Sequence, residues 1–493
     1  MICAPFQKDT LFSEIHIFDE RHLALAKNSF LLAAGTTGLS LLIGVPLAFL
    51  LGRTDLWGRR LFGILYLVPV LIPPYIHAII WTHVDGLLKN FTFFDIYNLK
   101  GAIFVMALAY YPFVTLLTLS GLKSVDRNLE EASLLNHKSL YTLRHVTFPL
   151  LMPHILSGAI FVFIFSLIDF GVPDILRVNV YPVEIFIQFS AFYDEKAAIL
   201  LSFPLIVIAL LLVLLQKWHM GKRSYINLSS GLGKGIMYYL GKLNILSFMY
   251  CFIVFSLSAL VPVTVLIKTA GALSNYLRVI NTSLSQIGYS LVMAALGGLL
   301  TLFLSFSISY IIERTKNKSS LLLEFASYIL FVVPATAVGI GLIEVWNRPL
   351  IDSIYKCPVI IILGYIAHSL PFTIRATSSG IKQISPSLEE AAFLTTTSRT
   401  KVISKILIPL LTPSLMAGFF IAFILSFGEL GTTLLVIPPG METIPIKIYN
   451  LMHYGADQMI AALCMTLIFI IFILSGIFML LYKNIRRLHA VYR

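Results

Sequence analysis

Charge is what this sequence has least of: 12% of its 493 residues are Asp, Glu, Lys or Arg, against about one-quarter in soluble domains. So few charges cannot clothe a globule in water. With 58% hydrophobic residues and a mean hydropathy of +0.88, the surroundings of most of the chain are lipid. Cysteine is scarce as well. Cys3, Cys251, Cys357 and Cys464 stand far apart and show no metal-ligand or dithiol spacing. A G-x-x-x-x-G-K-[ST] phosphate loop is missing too: Gly231-Leu232-Gly233-Lys234-Gly235 lacks both the spacing and the following hydroxyl residue, and reads as flexible linker. No Ser/His/Asp, Cys/His or His-Glu-x-x-His arrangement appears, so neither a catalytic residue, a metal site nor a resident cofactor is expected, and any ATP is used by another polypeptide. The first 22 or so residues lack the basic start, apolar core and cleavage site of a secretory signal. Membrane insertion is expected to rest on a retained helix.

What the chain has in abundance is apolar runs long enough to cross a hydrocarbon core of about 30 Å. They fall near 28–51, 61–81, 101–120, 151–170 and 197–215, then near 244–267, 287–312, 321–343, 358–378, 410–430 and 459–482. The expected fold is an all-α polytopic membrane protein of eleven helices. An odd count puts the termini on opposite sides. Of the 36 Lys and Arg residues, 24 fall in one set of alternate loops and 12 in the other, and the richer set is expected to be cytoplasmic. It includes Arg53, Arg59 and Arg60, Lys217, Lys222 and Arg223, Arg314, Lys316 and Lys318, and Lys483, Arg486 and Arg487. Residues 1–27 then form an extracytoplasmic tail, and the C-terminus is cytoplasmic. Because the basic residues are scattered beside apolar runs, the net charge of +12 points to membrane topology and away from nucleic acid.

The chain also repeats itself. Leu129-Glu130-Glu131-Ala132 returns 259 residues later as Leu388-Glu389-Glu390-Ala391, each followed by basic residues and an apolar run with two prolines, Pro149 and Pro153 or Pro409 and Pro413. Offsets near 260 also relate Ser29 to Ser290, Arg53 to Arg314, Pro112 to Pro371, Gly121 to Gly380, Gly158 to Gly418 and Gly171 to Gly431. Both Glu-Glu-Ala loops fall on the expected cytoplasmic side, so the repeats are parallel. The first repeat spans 28–215 and the second 244–493, joined by a Gly-, Ser- and Lys-rich linker over 216–243. The helix near 244–267 has no counterpart, as though the first copy lacked its first helix.

The loop after the third helix of each repeat resembles the Glu-Ala-Ala loop of binding-protein-dependent ABC importer permeases, which runs E-A-A, three residues, Gly, then nine residues to I-x-L-P. Here it reads Glu131-Ala132-Ser133 to Val146-Thr147-Phe148-Pro149, and Glu390-Ala391-Ala392 to Ile406-Leu407-Ile408-Pro409. Two departures stand out: His137 and Thr396 hold the glycine position, and the first copy is one residue shorter. Asn136 is the residue fitted to the left-handed turn that glycine would supply. The resemblance implies a type I importer permease fold and a coupling helix in each copy. These helices would dock on two ATP-binding subunits, while an extracytoplasmic solute-binding protein delivers cargo. Ala132, Ser133, Ala391 and Ala392 would allow close approach, and Glu130, Glu131, Glu389 and Glu390 would set registry. Among such permeases a fused chain of this size is most similar to the ferric-iron type, with thiamine, phosphonate or other small solutes as alternatives. A secondary transporter of two parallel repeats is the rival class, and a membrane-embedded enzyme a distant third.

Within the spans, Ser166-Leu167-Ile168-Asp169-Phe170-Gly171 matches Ser426-Phe427-Gly428-Glu429-Leu430-Gly431. Intramembrane carboxylates mark function by default. Two readings stand for Asp169 and Glu429 with their serines: they line the translocation pathway, or they end a helix at the interface. Lone His77 and His368 read as helix-to-helix hydrogen-bonding groups, and Gly339-Ile340-Gly341 as close helix packing. Pro69, Pro73 and Pro74, with Pro334 in the second copy, are expected to break their helices.

Overall fold

A computed structural model describes residues 20–88, 95–221, 236–315, 317–395, 398–452 and 454–491. Most of the expected tail (1–19), most of the linker including Gly231–Gly235, Lys316 and Thr396 lie outside the described residues.

Among the described residues nine helices are long and apolar enough to cross a membrane, from Glu20–Arg53 to Asp457–Ile485, and two bent pairs pass the same test together. These pairs occupy the spans expected at 61–81 and 321–343, which are therefore not single helices. Arg59–Leu71 and Pro74–Gly86 meet at 94°, and Lys318–Val332 and Ala335–Trp346 at 112°. The break in the first falls at Pro73-Pro74, where successive residues lack an N–H and exclude the preceding residue from helical geometry. In the second, Pro334 stands at the start of the second arm with ψ near 144°.

Both bent pairs do cross. Arg53, the last residue of Glu20–Arg53, donates from Nη2 to the carbonyl of Leu122, near the end of Leu99–Ser124, at 2.9 Å. Two helices that end side by side run in the same direction, so the chain between them must pass back through the membrane. In the second copy Arg314 makes the same link, from Nη2 to the carbonyls of Ile381 and Ile384 at 3.2 and 2.9 Å. Counted this way the described chain makes eleven crossings. Its first described residue and its last helix end lie at opposite ends of the bundle.

Each copy is built around three packed helices, Glu20–Arg53, Leu99–Ser124 and Phe148–Ile168 in the first, Leu273–Arg314, Val359–Lys382 and Ile408–Phe427 in the second. Small residues let them approach. A Cβ on Gly121 would sit 2.7 Å from the His154 ring, and one on Gly380 would sit 2.3 Å from the Ser414 hydroxyl. The repeat extends to single hydrogen bonds: Ser29 Oγ accepts from Tyr181 N at 2.9 Å, and Ser290 Oγ from Ile444 N at 2.8 Å.

The helix without a counterpart, Leu243–Ala270, follows the first copy in space although it opens the second in sequence. Its stretches pack on Glu20–Arg53, Arg59–Leu65 and Pro74–Leu88, while its end packs on Asp457–Val491. The copies meet elsewhere in a ring cluster: Phe165 lies 5.7 Å from Phe331 and 5.6 Å from Phe372, and Phe161 stacks on Phe165 at 4.4 Å. Tyr449 of the second copy also donates to Asp174 of the first at 2.9 Å.

Candidate functional site

The two Glu-Glu-Ala segments form short helices at the end of the bundle where Arg53 and Arg314 lie. Arg127–Asn136 starts at Asp126, whose side chain accepts from Asn128 N at 2.9 Å. Pro386–Thr395 starts on a proline, whose missing N–H costs nothing in a first turn. Adjacent residues on a helix point about 100° apart, so the paired carboxylates split. Glu130 and Glu389 are 0% and 5% exposed, whereas Glu131 and Glu390 face outward. Of the four acids expected to set registry, two thus turn into the bundle and two out of it.

The inward carboxylates are latches. Arg53 Nη2 stands 3.4 Å from Glu130 Oε2, and Thr147 Oγ1 donates to Glu130 Oε1 at 2.8 Å. In the second copy Arg314 Nε donates to Glu389 Oε1 at 2.6 Å and Tyr310 to Oε2 at 3.0 Å. Each short helix is thus tied to the end of the first helix of its triad. Arg53 and Arg314 are visible in the sequence as a repeated pair, and a repeated basic residue is the signal that the repeated acid has an internal partner.

The outward faces carry Glu131, which pairs with Arg127 at 2.5 Å, and Glu390. Ala132 and Ala391 are exposed, Ser133 is half-buried with its hydroxyl 2.8 Å from that of Thr142, and Ala392 is buried. Sequence reasoning missed the exposed apolar residues beside them. Leu135 and Leu394, again 259 apart, are 84% and 89% exposed, and Leu129 and Leu388 about half exposed. The expected left-handed turn at Asn136 does not form. The first loop turns through extended His137 and Lys138, φ −136° and −71°. The chain then enters a π-helical turn, Leu143–Thr147 in one copy and Ile403–Leu407 in the other, two residues before exposed Pro149 and Pro409.

At the opposite end of the following helices, the two matched carboxylates cap short helices. Asp169 accepts from Val172 N at 2.9 Å and from Tyr110 OH at 3.0 Å. Glu429 accepts from Thr432 N at 2.6 Å, from Thr433 N at 2.9 Å and from the Thr433 hydroxyl. Ser166 and Ser426 are buried beneath them, and neither hydroxyl has a hydrogen-bond partner. The caps lie where the broken helices press in: a Cβ on Gly171 would meet Tyr75 Cβ at 2.9 Å, and one on Gly428 would meet Pro73 Cγ of the other copy at 2.9 Å. His77, fully buried, places Nε2 3.4 Å from the Pro69 carbonyl beside the break. His368 is half-buried. A Cβ on Gly339 would meet Leu435 Cβ at 3.0 Å, whereas one on Gly341 would meet nothing within 4 Å. Among the described residues no group of three or more His, Cys, Asp or Glu could hold a metal ion.

A duplicated helical bundle of parallel copies, with a latched surface helix at the same end of each and a seam between them, defines a membrane permease of the transport class. The family model for the binding-protein-dependent transport system inner membrane component matches residues 41–225 and 305–487, and the chain belongs to that family. It is similar over most of its length to the Fe(3+)-transport system permease protein FbpB 2 of Haemophilus influenzae, at 26% identity over 482 residues covering 95% of this chain and 91% of that protein. The ferric transport system permease protein FbpB of Actinobacillus pleuropneumoniae is 26% identical over 477 residues, 90% of this chain and 69% of its own length. A shorter match, 30% over 210 residues, joins 42% of this chain to 82% of the molybdate/tungstate transport system permease protein WtpB of Pyrococcus abyssi.

Proposed function

We propose that this permease forms the solute pathway of an ATP-driven importer of ferric iron, with its Glu-Glu-Ala helices docking on two ATP-binding subunits at the cytoplasmic face. The observation that carries the docking reading is the outward face of those helices. Leu135 and Leu394 stand almost fully exposed at equivalent positions beside Glu131 and Glu390, beyond the reach of the hydrophobic spans. Exposed leucines ringed by charge mark a protein interface, and two copies of it suit a dimeric partner. Ferric cargo is supported by the end-to-end similarity to permeases named for Fe(3+). The richer share of Lys and Arg supports a cytoplasmic loop end, which leaves the Asp169 and Glu429 caps facing the side where a solute-binding protein would deliver. Asp169, Glu429, Ser166 and Ser426 then flank the pathway as supports of its outer end.

Glu131→Lys or Glu390→Lys is expected to leave the permease in the membrane at normal abundance while lowering ATPase co-purification and binding-protein-stimulated hydrolysis. A docked carboxylate replaced by a like charge costs about 2 kcal/mol or more. The double reversal should abolish uptake. A double variant that retains its ATPase and transports normally favours the secondary-transporter reading. Labelled ferric iron uptake that unlabelled ferric salt competes away and molybdate does not is the expected cargo result.

A further inference from the structure

The two latches are not closed by the same parts. In the second copy Tyr310, on the first helix of the triad, donates its hydroxyl to Glu389. The equivalent position in the first copy, by the offset that relates Arg53 to Arg314, is Phe49, which has no hydroxyl. A different tyrosine lies on it: the Tyr238 ring sits 5.6 Å from that of Phe49. Tyr238 belongs to the last stretch of the linker, and that stretch is stitched to the first copy. Tyr238 N donates to the Arg53 carbonyl at 2.7 Å, Leu240 N to Asp55 Oδ1 at 2.8 Å, and Asn244 Nδ2 to the Asp55 carbonyl at 3.1 Å. Among the described residues, the pairing of Thr54 with Tyr238 is the only β-bridge.

Beneath this stretch Arg53 Nε, Glu130 Oε2 and the Tyr238 hydroxyl are buried and none hydrogen-bonds to another, although Arg53 Nη2 faces Glu130 Oε2 at 3.4 Å. They are two donors and one acceptor. Burial, and after it the Glu130 charge, hold the Tyr238 phenol above its ordinary value, against smaller opposing effects of Thr147 and Arg53. It stays protonated and able to donate.

We infer that linker residues 236–242 are a working part of the first coupling helix: Tyr238 stands in for Tyr310, closing the first latch by covering the Arg53–Glu130 pair and keeping water from it. Fusion of the two copies thus gives one coupling helix a support that the other draws from its own bundle. Tyr238 is a positioning residue, acting on the partner interface through Glu130 and the helix that carries Leu135.

This inference rests on the docking reading, and the experiment separates the two. Leu135→Cys and Leu394→Cys are placed singly in a cysteine-free permease and cross-linked to the co-expressed ATPase carrying a surface cysteine. If neither cross-links in the otherwise unaltered permease, the docking reading fails and the inference with it. If both do, Tyr238→Ala should lower the Leu135 cross-link about fivefold, since water admitted to a buried ion pair weakens it, and leave the Leu394 cross-link unchanged. Tyr310→Phe should do the reverse. Adding Phe49→Tyr to Tyr238→Ala should restore the Leu135 cross-link, which a general loss of stability would not allow. A protease site placed between Lys222 and Lys234, then cut, should leave both cross-links intact. Unchanged Leu135 cross-linking in Tyr238→Ala, or its loss on cutting alone, overturns the inference and leaves the linker a tether.

Discussion

At the scale of single residues, neighbours in sequence take opposite duties. Glu130 and Glu131 differ by one position, yet one is sealed against Arg53 and the other meets solvent. Removing one member of a buried ion pair strands the other charge and costs about 3 to 5 kcal/mol, whereas an exposed pair is worth about 0 to 1. Arg53→Met and Arg314→Met are therefore expected to lower the unfolding temperature of the detergent-purified permease by several degrees, with Glu131→Gln indistinguishable from the parent. Equal melting curves for all three would show that the latches carry no stability. The sequence displays both acids and both arginines, but which acid turns inward depends on the helix phase set by Asp126 and Pro386, and that phase was not legible without the fold. That Asp169 and Glu429 accept from the N–H groups of the short helices after them was not legible in the sequence. It depends on where the fold places the backbone N–H groups of Val172, Thr432 and Thr433.

At the scale of elements, proline shapes this molecule more than any other residue. Three π-helical turns occur among the described residues, Leu143–Thr147, Ser256–Leu260 and Ile403–Leu407, and each ends two residues before a proline, Pro149, Pro262 or Pro409. A proline has no N–H for the preceding turn and its ring crowds the carbonyl four residues back. A wider turn accommodates both. Inserting one residue per turn rotates everything before it by about 100°, so these turns set the azimuth of each coupling loop. Pro149→Ala and Pro409→Ala should let the π-turn relax to α-helix and turn the outward face away from a docked partner. Reduced binding-protein-stimulated ATP hydrolysis at normal abundance is the expected result, and unchanged hydrolysis would show that the prolines do not set the azimuth. The prolines were legible as repeat markers and as helix breakers at 73, 74 and 334. The π-turns were not, because hydropathy reads length and periodicity and is blind to one extra residue.

At the scale of the whole molecule, eleven crossings and parallel copies were legible from apolar runs and a repeat, since both follow from lipid as solvent. The position of Leu243–Ala270 was not. Its order in the chain assigns it to the second copy, and only packing shows that it leans on the first. The direction of insertion rests on the Lys and Arg distribution, so it is expected that Asn484→Cys in a cysteine-free background is labelled by a membrane-impermeant thiol reagent only after the inner leaflet is breached. Tyr193→Cys, at the other end and 84% exposed, should be labelled in intact cells. The reverse pattern would invert the topology.

The buried latches also bear on how the transporter assembles. A surface helix that orders only on binding subtracts its lost conformational freedom from the affinity it gives. Here Arg53 and Arg314 hold both helices in place before anything docks, with Glu130 and Glu389 held in ion pairs from within. The permease offers two finished handles, and a subunit that grips them does so as one rigid body meeting another, without an ordering penalty taken from its binding energy.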